Sequence, residues 1–379
     1  MLNRRRVLSV GVWMLVVLCV CLACRAADRR PDVHYVPTPP EVVETMLKTA
    51  NVGKDDVVYD LGCGDGRIVI TAAGKYGARK GVGIDIDPAR IKECLENVRK
   101  ANLEDRVTFL QQDLYETDFS EATVVTLYLL PMLNIRLRPA LFRQLRPGDR
   151  IVSHAFDMGE WQADQTMNVP CADWERTAYY WVLPGPAAGT WQWTLPGAKG
   201  GQAFELRLRQ RFQAVSGAAK VDGREQPIAD ATLVGDRLGF SIVREGQGEK
   251  QKMTFSGRII GDAIRGSVET QGGPDAGKRE WAAKRDRVNL VGTWRWTQGD
   301  KPASLDIRRH DGRYHAAIGT GKDQAALPQF YAWGAGVYFI LEGSPRQTFE
   351  GIADGDRIVG KVSGDGAEAR DWTAQRGGD

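Results

Sequence analysis

The hydrophobic rhythm of the chain changes at Pro184. Upstream, short apolar runs alternate with stretches in which apolar residues recur every three to four positions. The runs Val57 to Asp60, Lys80 to Ile84, Val107 to Gln111, Thr123 to Leu129 and Arg150 to His154 predict strands. Pro40 to Thr49, Asn134 to Leu145, and the segments opening at Arg67 and Pro88 predict helices, with Asp87 suited to an N-cap and Pro88 to a first turn. Strands alternating with helices predict a parallel, doubly wound sheet. Thr177 to Leu183 follows no helix, so a partner strand near Asn168 would make a closing antiparallel hairpin. Downstream of Pro184-Gly185-Pro186 the helical period vanishes. Runs such as Phe204 to Phe212 and Arg237 to Val243 alternate apolar and polar, which predicts strands with one solvated face.

The most informative turn follows the first strand. Val57-Val58-Tyr59-Asp60 breaks into Gly62-x-Gly64-x-Gly66 before a helix. Glycine reaches positive φ without cost and lets backbone approach a ligand. A dinucleotide site would instead prefer G-x-G-x-x-G or A. Asp85 ends the second strand about 20 residues on, where an acid reaches ribose hydroxyls. That acid alone leaves a nucleoside-bearing sulfonium and NAD both open. Asp113 follows the third strand, with Leu114 and Ile86 as apolar neighbours. The series resembles the class I S-adenosylmethionine (SAM) methyltransferases, with a Rossmann-like, seven-stranded domain. The resemblance implies SAM as cofactor, held by Asp60, Gly62, Gly64, Gly66, Asp85, Ile86, Asp113 and Leu114.

Tyr35-Val36-Pro37, Asp60 to Val69, Asp113-Leu114 and Leu130-Pro131 narrow the match. They resemble a family of small protein-lysine methyltransferases that includes the enzymes modifying the ATP synthase c-subunit and the adenine nucleotide translocase. Residues 34 to 184 carry the resemblance, and Asp85 stands where that family usually has Glu. It implies methyl transfer to a protein side chain, lysine in particular, by in-line displacement, in which positioning is most of the catalysis. A lysine nucleophile must be neutral; its ordinary pKa is about 10.4, and desolvation lowers it, so no dedicated base is obligatory. Tyr128-Leu129-Leu130-Pro131 replaces the Asn/Asp-Pro-Pro-aromatic run expected for base or glutamine methylation. Catalytic candidates are Tyr35, Tyr128, His154 and Asp157, with Trp161 at the lip. A small-molecule methyltransferase, or a non-catalytic envelope binding protein with a relic Rossmann core, are the alternatives.

Beyond Pro184 the chain repeats. Gly189-Thr-Trp191-Gln-Trp193 recurs as Gly292-Thr-Trp294-Arg-Trp296, Phe255 to Gly266 as Phe349 to Gly360, and Trp281 to Arg285 as Trp372 to Arg376. Two all-β modules are expected, 189–285 and 292–376, after a catalytic domain over 31–184. A Gly-x-Trp opening and a late Arg resemble the calycin-like small barrels. The tryptophans then serve as barrel core or as a ligand surface.

Residues 1–30 place Arg4-Arg5-Arg6 before an apolar run from Val7 to Cys24, the pattern of a secretory signal or an uncleaved membrane anchor. Membrane association or export in a bacterial source is the corresponding expectation. The net charge of +3 argues against a nucleic-acid surface. Cys63, Cys94 and Cys171 do not form a disulfide framework, and the four histidines suggest no metal site.

Overall fold

The computed structural model describes residues 31–197, 200–246, 249–310, 313–320, 323–364 and 367–377. The expected signal or anchor at 1–30 lies outside them. Among the described residues no helix is long and apolar enough to cross a membrane. Two compact units result: residues 31–137 with 150–181, and residues 138–149 with 182 onward.

The first unit carries α1 (Pro40–Thr49), β1 (Val57–Leu61), α2 (Arg67–Gly74), β2 (Lys80–Asp85), α3 (Pro88–Lys100), β3 (Val107–Gln111), β4 (Val124–Leu127), the start of α4 (Pro131–Gln144), β5 (Arg150–His154), β6 (Gln165–Val169) and β7 (Arg176–Val182). Its sheet has the order β3-β2-β1-β4-β5-β7-β6. The β3-β2, β2-β1, β1-β4 and β4-β5 pairs are parallel, and β6 runs antiparallel to β7. Every residue of β1 and of β4 is buried, as a central parallel strand covered on both faces requires. Helix α1 buries Val42, Val43, Met46 and Leu47 on one stripe. Asp87 caps α3 by accepting from the Ala89 N–H at 2.8 Å, with Pro88 in the first turn. The strand order puts β1 and β4 side by side with helices leaving opposite faces. The crevice at such a switch point is where open α/β sheets bind ligands.

The second unit holds the repeat. The first module comprises β8 (Gly189–Gly197), β9 (Gly200–Arg211), β10 (Ala214–Val221), β11 (Arg224–Val234), β12 (Arg237–Gly246), β13 (Glu249–Ile260), β14 (Ala263–Gln271) and β15 (Gly277–Arg285). These eight strands close into an antiparallel barrel, β15 returning to β8. The second comprises β16 (Gly292–Gln298), β17 (Lys301–His310), β18 (Arg313–Thr320), β19 (Asp323–Ala326), β20 (Phe330–Trp333), β21 (Gly336–Leu341), β22 (Gln347–Asp354), β23 (Arg357–Gly364) and β24 (Arg370–Arg376). They follow the same cyclic order, with a seam between β19 and β20. The seam has a counterpart in β11, whose residues 224–227 pair with β10 and whose residues from Ile228 on pair with β12, with a register shift inside the latter pairing between Ala229 and Thr232. One strand with a register shift in the first module corresponds to two strands in the second.

The tryptophans are core. Trp193, Phe240, Phe255 and Trp281 pack edge-to-face and stacked inside the barrel, Phe240 lying 4.8 Å from Phe255 at 10°. Trp296, Phe339, Phe349 and Trp372 repeat the cluster, with Phe339 4.7 Å from Phe349 at 3°. Arg285 stacks over the fully buried Trp191 at 4.5 Å, and Arg376 over Trp294 at 4.2 Å. Each indole N–H donates four residues back, to the Ala187 and Leu290 carbonyls.

The second half of α4 belongs to this unit, whereas the sequence places all of 31–184 in one domain. The reason is packing. Arg138 is fully buried and donates to Tyr331 Oη at 2.8 Å and Gln329 Oε1 at 2.9 Å, and Phe142 sits edge-on to Tyr331 and Trp333.

Candidate active site

A cleft of about 310 Å³ opens at the C-terminal ends of β1, β2 and β4. Of the residues expected there, Tyr35, Asp60, Gly62, Asp85, Ile86, Asp113, Leu114 and Tyr128 line it. Gly64 and Gly66 shape the loop beneath. Gly62, Gly64 and Gly66 have φ of 91°, 55° and 80°, which disfavours L side chains. A Cβ on Gly64 would stand 2.2 Å from the Tyr35 ring, and one on Gly66 2.5 Å from the Phe109 ring.

Asp85 locks the loop. Its Oδ2 accepts from the Gly64 N–H and its Oδ1 from the Asp87 N–H, both at 2.9 Å. Burial raises its pKa against those hydrogen bonds. Asp60 is buried and accepts from Thr126 Oγ1 at 2.8 Å. Desolvation first, and the Asp85 and Asp65 charges after it, push its carboxyl up to about 7. No described cation pairs with it. Asp113 accepts from the Tyr115 N–H, which fixes the turn after β3.

Sequence reasoning missed a strap over this loop. Arg67 donates to both Asp65 oxygens and, through Nη1, to the Thr38 carbonyl at 2.9 Å. Tyr35 hydrogen-bonds Asp65, and burial with that carboxylate raises its phenol to about 12. Arg90 lies 4.8 Å over the Tyr35 ring. The segment around Tyr35 is thereby tied across the glycine turn. Asp65 and Arg67 were visible inside the motif; their partners, 30 and 29 residues upstream, were not.

The other catalytic candidates separate. Tyr128 faces the cleft, and the His154 ring lies behind it at 3.9 Å. His154 is buried, its Nδ1 is 3.2 Å from Thr38 Oγ1, and burial lowers its pKa to about 4. It is a neutral structural imidazole near pH 7. Asp157 does not line the cleft; its carboxylate accepts from the Gly159 N–H, and its carbonyl accepts from the buried Asn134 amide. Trp161 is fully buried against Trp181 and forms core, not a lip. The Cys63 and Cys94 thiols are free and buried, and hydrogen bonding with Cys94 together with burial pushes the Cys63 thiol up, so neither is poised to react.

A family model described as the ANTKMT methyltransferase domain matches residues 60–165. A protein-lysine N-methyltransferase of Saccharolobus islandicus (strain REY15A) is 45% identical over 153 residues, 40% of this chain and 95% of that protein. The chain belongs to the class I SAM-dependent protein-lysine methyltransferase family. Within this family, the adenine nucleotide translocase lysine N-methyltransferase of Mus musculus is 28% identical over 41% of this chain and 66% of its own length. The ATP synthase c-subunit lysine N-methyltransferase of Homo sapiens is 27% identical over 36% and 58%. The chain thus spans about three fifths of that last relative. A solved structure described as an RNA methyltransferase from Salinibacter ruber in complex with S-adenosyl-L-homocysteine is 55% identical, covers 39% of this chain and 93% of that one, and has a TM-score of 0.37.

As a member of the family, the protein is an enzyme, a SAM-dependent methyltransferase. This sets aside the expectation of a relic, non-catalytic core. The lining suits the cofactor chemically: the carboxylates of Asp60, Asp85 and Asp113 would balance a cationic sulfonium ligand, and Ile86 and Leu114 would offer apolar surface to a ring.

Proposed function

We propose that this methyltransferase N-methylates a lysine side chain of a protein, and that the cleft residues Asp60, Gly62, Gly64, Gly66, Asp85, Ile86, Asp113 and Leu114 hold SAM. When bound, SAM supplies an electrophilic methyl group on a sulfonium. On this reading Asp85 would accept from ribose hydroxyls and Asp113 from an adenine amino group, with Ile86 and Leu114 supplying apolar surface. Asp60 is the buried acid that a neighbouring cation would ionise.

One observation carries the lysine reading: the mouth of the cleft is apolar and aromatic. Val36 and Leu130 line it while 56% and 47% exposed, beside Tyr35, Tyr128, Leu133 and Phe156, and Met132 is exposed next to them. Exposed apolar surface at a cleft mouth suits a protein partner and the methylene stem of lysine. Such walls strip water from the amine and favour its neutral form. Of the two imidazoles nearby, His154 is buried behind Tyr128 and His34 lines the cleft while exposed; desolvation of the amine by the apolar walls makes neither obligatory as a general base. The archaeal and mammalian relatives named for lysine methylation support the same acceptor.

The test is transfer of labelled methyl from SAM into a lysate of the source cell, fractionated into protein, RNA and small molecules. Label in protein recovered as methyl-lysine is expected. Label confined to RNA or to metabolites contradicts the proposal. We further read residues 1–30 as a membrane anchor that leaves the enzyme facing the cofactor pool, supported by the Val7–Cys24 apolar run. Release of the full-length chain by alkaline carbonate would contradict this. The 189–285 and 292–376 modules are read as calycin-like, supported by the Gly-x-Trp openings stacked beneath Arg285 and Arg376.

A further inference from the structure

The second unit contains a cleft of about 270 Å³, formed by the last turn of α4, the Leu183–Pro186 segment and the β18 and β20 strands. Its walls include Phe142, Arg143, Arg313, Tyr314, Tyr331 and Trp333, and among the described residues no carboxylate lines it. All of these residues belong to the one compact unit.

The two arginines stand apart from the other buried ones. Arg138 bonds Tyr331 and Gln329; Arg285 pairs with Asp262 and donates to the Pro186 and Ala188 carbonyls; Arg376 pairs with Asp356 and the Val291 carbonyl. Arg143 and Arg313 make no hydrogen bond or ion pair with any described residue, and each is half-buried. Burial, with the like charge of Arg313 beside it, holds the Arg143 guanidinium below the ordinary arginine range against the Tyr331 phenol. Two like charges in a partly desolvated pocket without a counter-ion cost free energy, which an anion would recover.

We propose that this cleft binds a phosphate monoester carrying a planar ring, such as an aryl or nucleoside monophosphate. A phosphate monoester carries about −1.5 to −2 charge near pH 7 and so balances two guanidiniums, whereas a carboxylate balances one. Guanidinium planes and phosphate oxygens pair bidentately, and both guanidiniums and aromatic walls stack on a flat ligand. The volume lies just below the ordinary range of small-molecule pockets, roughly 300–1,000 Å³, which suits one ring with one phosphate. The site is independent of the methyl acceptor and of the cofactor cleft.

The experiment is calorimetric titration of the full chain with phenyl phosphate, benzoate and inorganic phosphate as probes. Phenyl phosphate should bind at least tenfold more tightly than either of the others. Arg143→Gln and Arg313→Gln should each weaken it at least tenfold and leave SAM affinity within twofold. Arg313 stands at the start of a strand, so its variant keeps the test valid if Arg143→Gln does not fold. Absence of heat with millimolar phenyl phosphate in folded protein overturns the proposal. So does binding that survives both substitutions, or equal affinity for inorganic phosphate or benzoate.

Discussion

Gly64 and Gly257 both sit against an aromatic ring, and the two contacts serve opposite ends. Gly257 makes room for packing: a Cβ there would meet Ile264 at 2.7 Å and Trp281 at 2.9 Å, and Gly351 repeats this with Ile358 and Trp372 at 2.6 and 2.9 Å. Gly64 makes room for a polar backbone. It adopts φ 55°, holds Tyr35 against the turn and gives its N–H to Asp85. The two β modules therefore end as filled aromatic interiors, while the cleft ends as a backbone turn ringed by the carboxylates Asp60, Asp85 and Asp113. A fold can use one residue type to close a core and to keep a site open, and the readout of a substitution distinguishes the two.

The sharpest break of this comparison is in the two β modules. Trp281→Ala and Trp372→Ala should each destabilise the second unit by about 3–5 kcal/mol, the usual cost of truncating a buried aromatic. Denaturant unfolding measures this, and SAM affinity should stay within twofold. A loss of SAM binding with an intact fold would show that the regions are not separable in this way. Next in size, Asp85→Ala removes the acceptor of two backbone N–H groups and the acid proposed for the ribose. SAM affinity should fall about a hundredfold, equivalent to about 2.7 kcal/mol, with stability of the tail unchanged.

Asp60 offers a pH test. Its carboxyl stands at about 7 in the folded chain against an ordinary value of 3.8, so the fold holds a proton that the unfolded chain releases. That contribution is complete below about pH 4 and is lost as pH rises through about 7. A cationic ligand prefers the ionised form. SAM should therefore bind more tightly as pH rises from about 6 to about 8, by up to tenfold, and Asp60→Asn should flatten the profile. His154 runs the other way: its pKa falls from 6.5 to about 4, so its contribution is present above about 6.5 and is lost as pH falls through about 4. It does not titrate in the window used for Asp60. The smallest expected effect is at the α3 cap, where Asp87→Ala should cost about 1 kcal/mol and shift SAM affinity little, as read by thermal unfolding and titration together.

Local grammar made the site's frame legible. The apolar run into Gly62-x-Gly64-x-Gly66, the strand-end acid Asp85 and the Asp87-Pro88 helix start are all short-range patterns, and each sits on a strand, turn or cap accordingly. The tail's repeat was legible because the same Gly-Thr-Trp and Phe-x-Gly words recur, and the aromatic clusters correspond residue for residue. What depends on distant partners was not legible. The Tyr35–Asp65–Arg67–Thr38 strap joins segments far apart in sequence, and Trp161 is core only because Trp181 lies beside it. Helix α4 begins at Pro131, three residues before the expected Asn134, because proline suits a first turn. Its second half leaves the catalytic unit through Arg138, whose partners are 191 and 193 residues away.

The central claim is that the glycine turn and Asp85 form the cofactor site. Calorimetric titration of SAM into the full-length protein and its Gly64→Arg variant tests it most directly. Micromolar binding to the parent chain, lost in a variant that is still folded at the temperature of the titration, is the result expected here. Equal binding by both chains, or none by a folded parent chain at millimolar SAM, would contradict it.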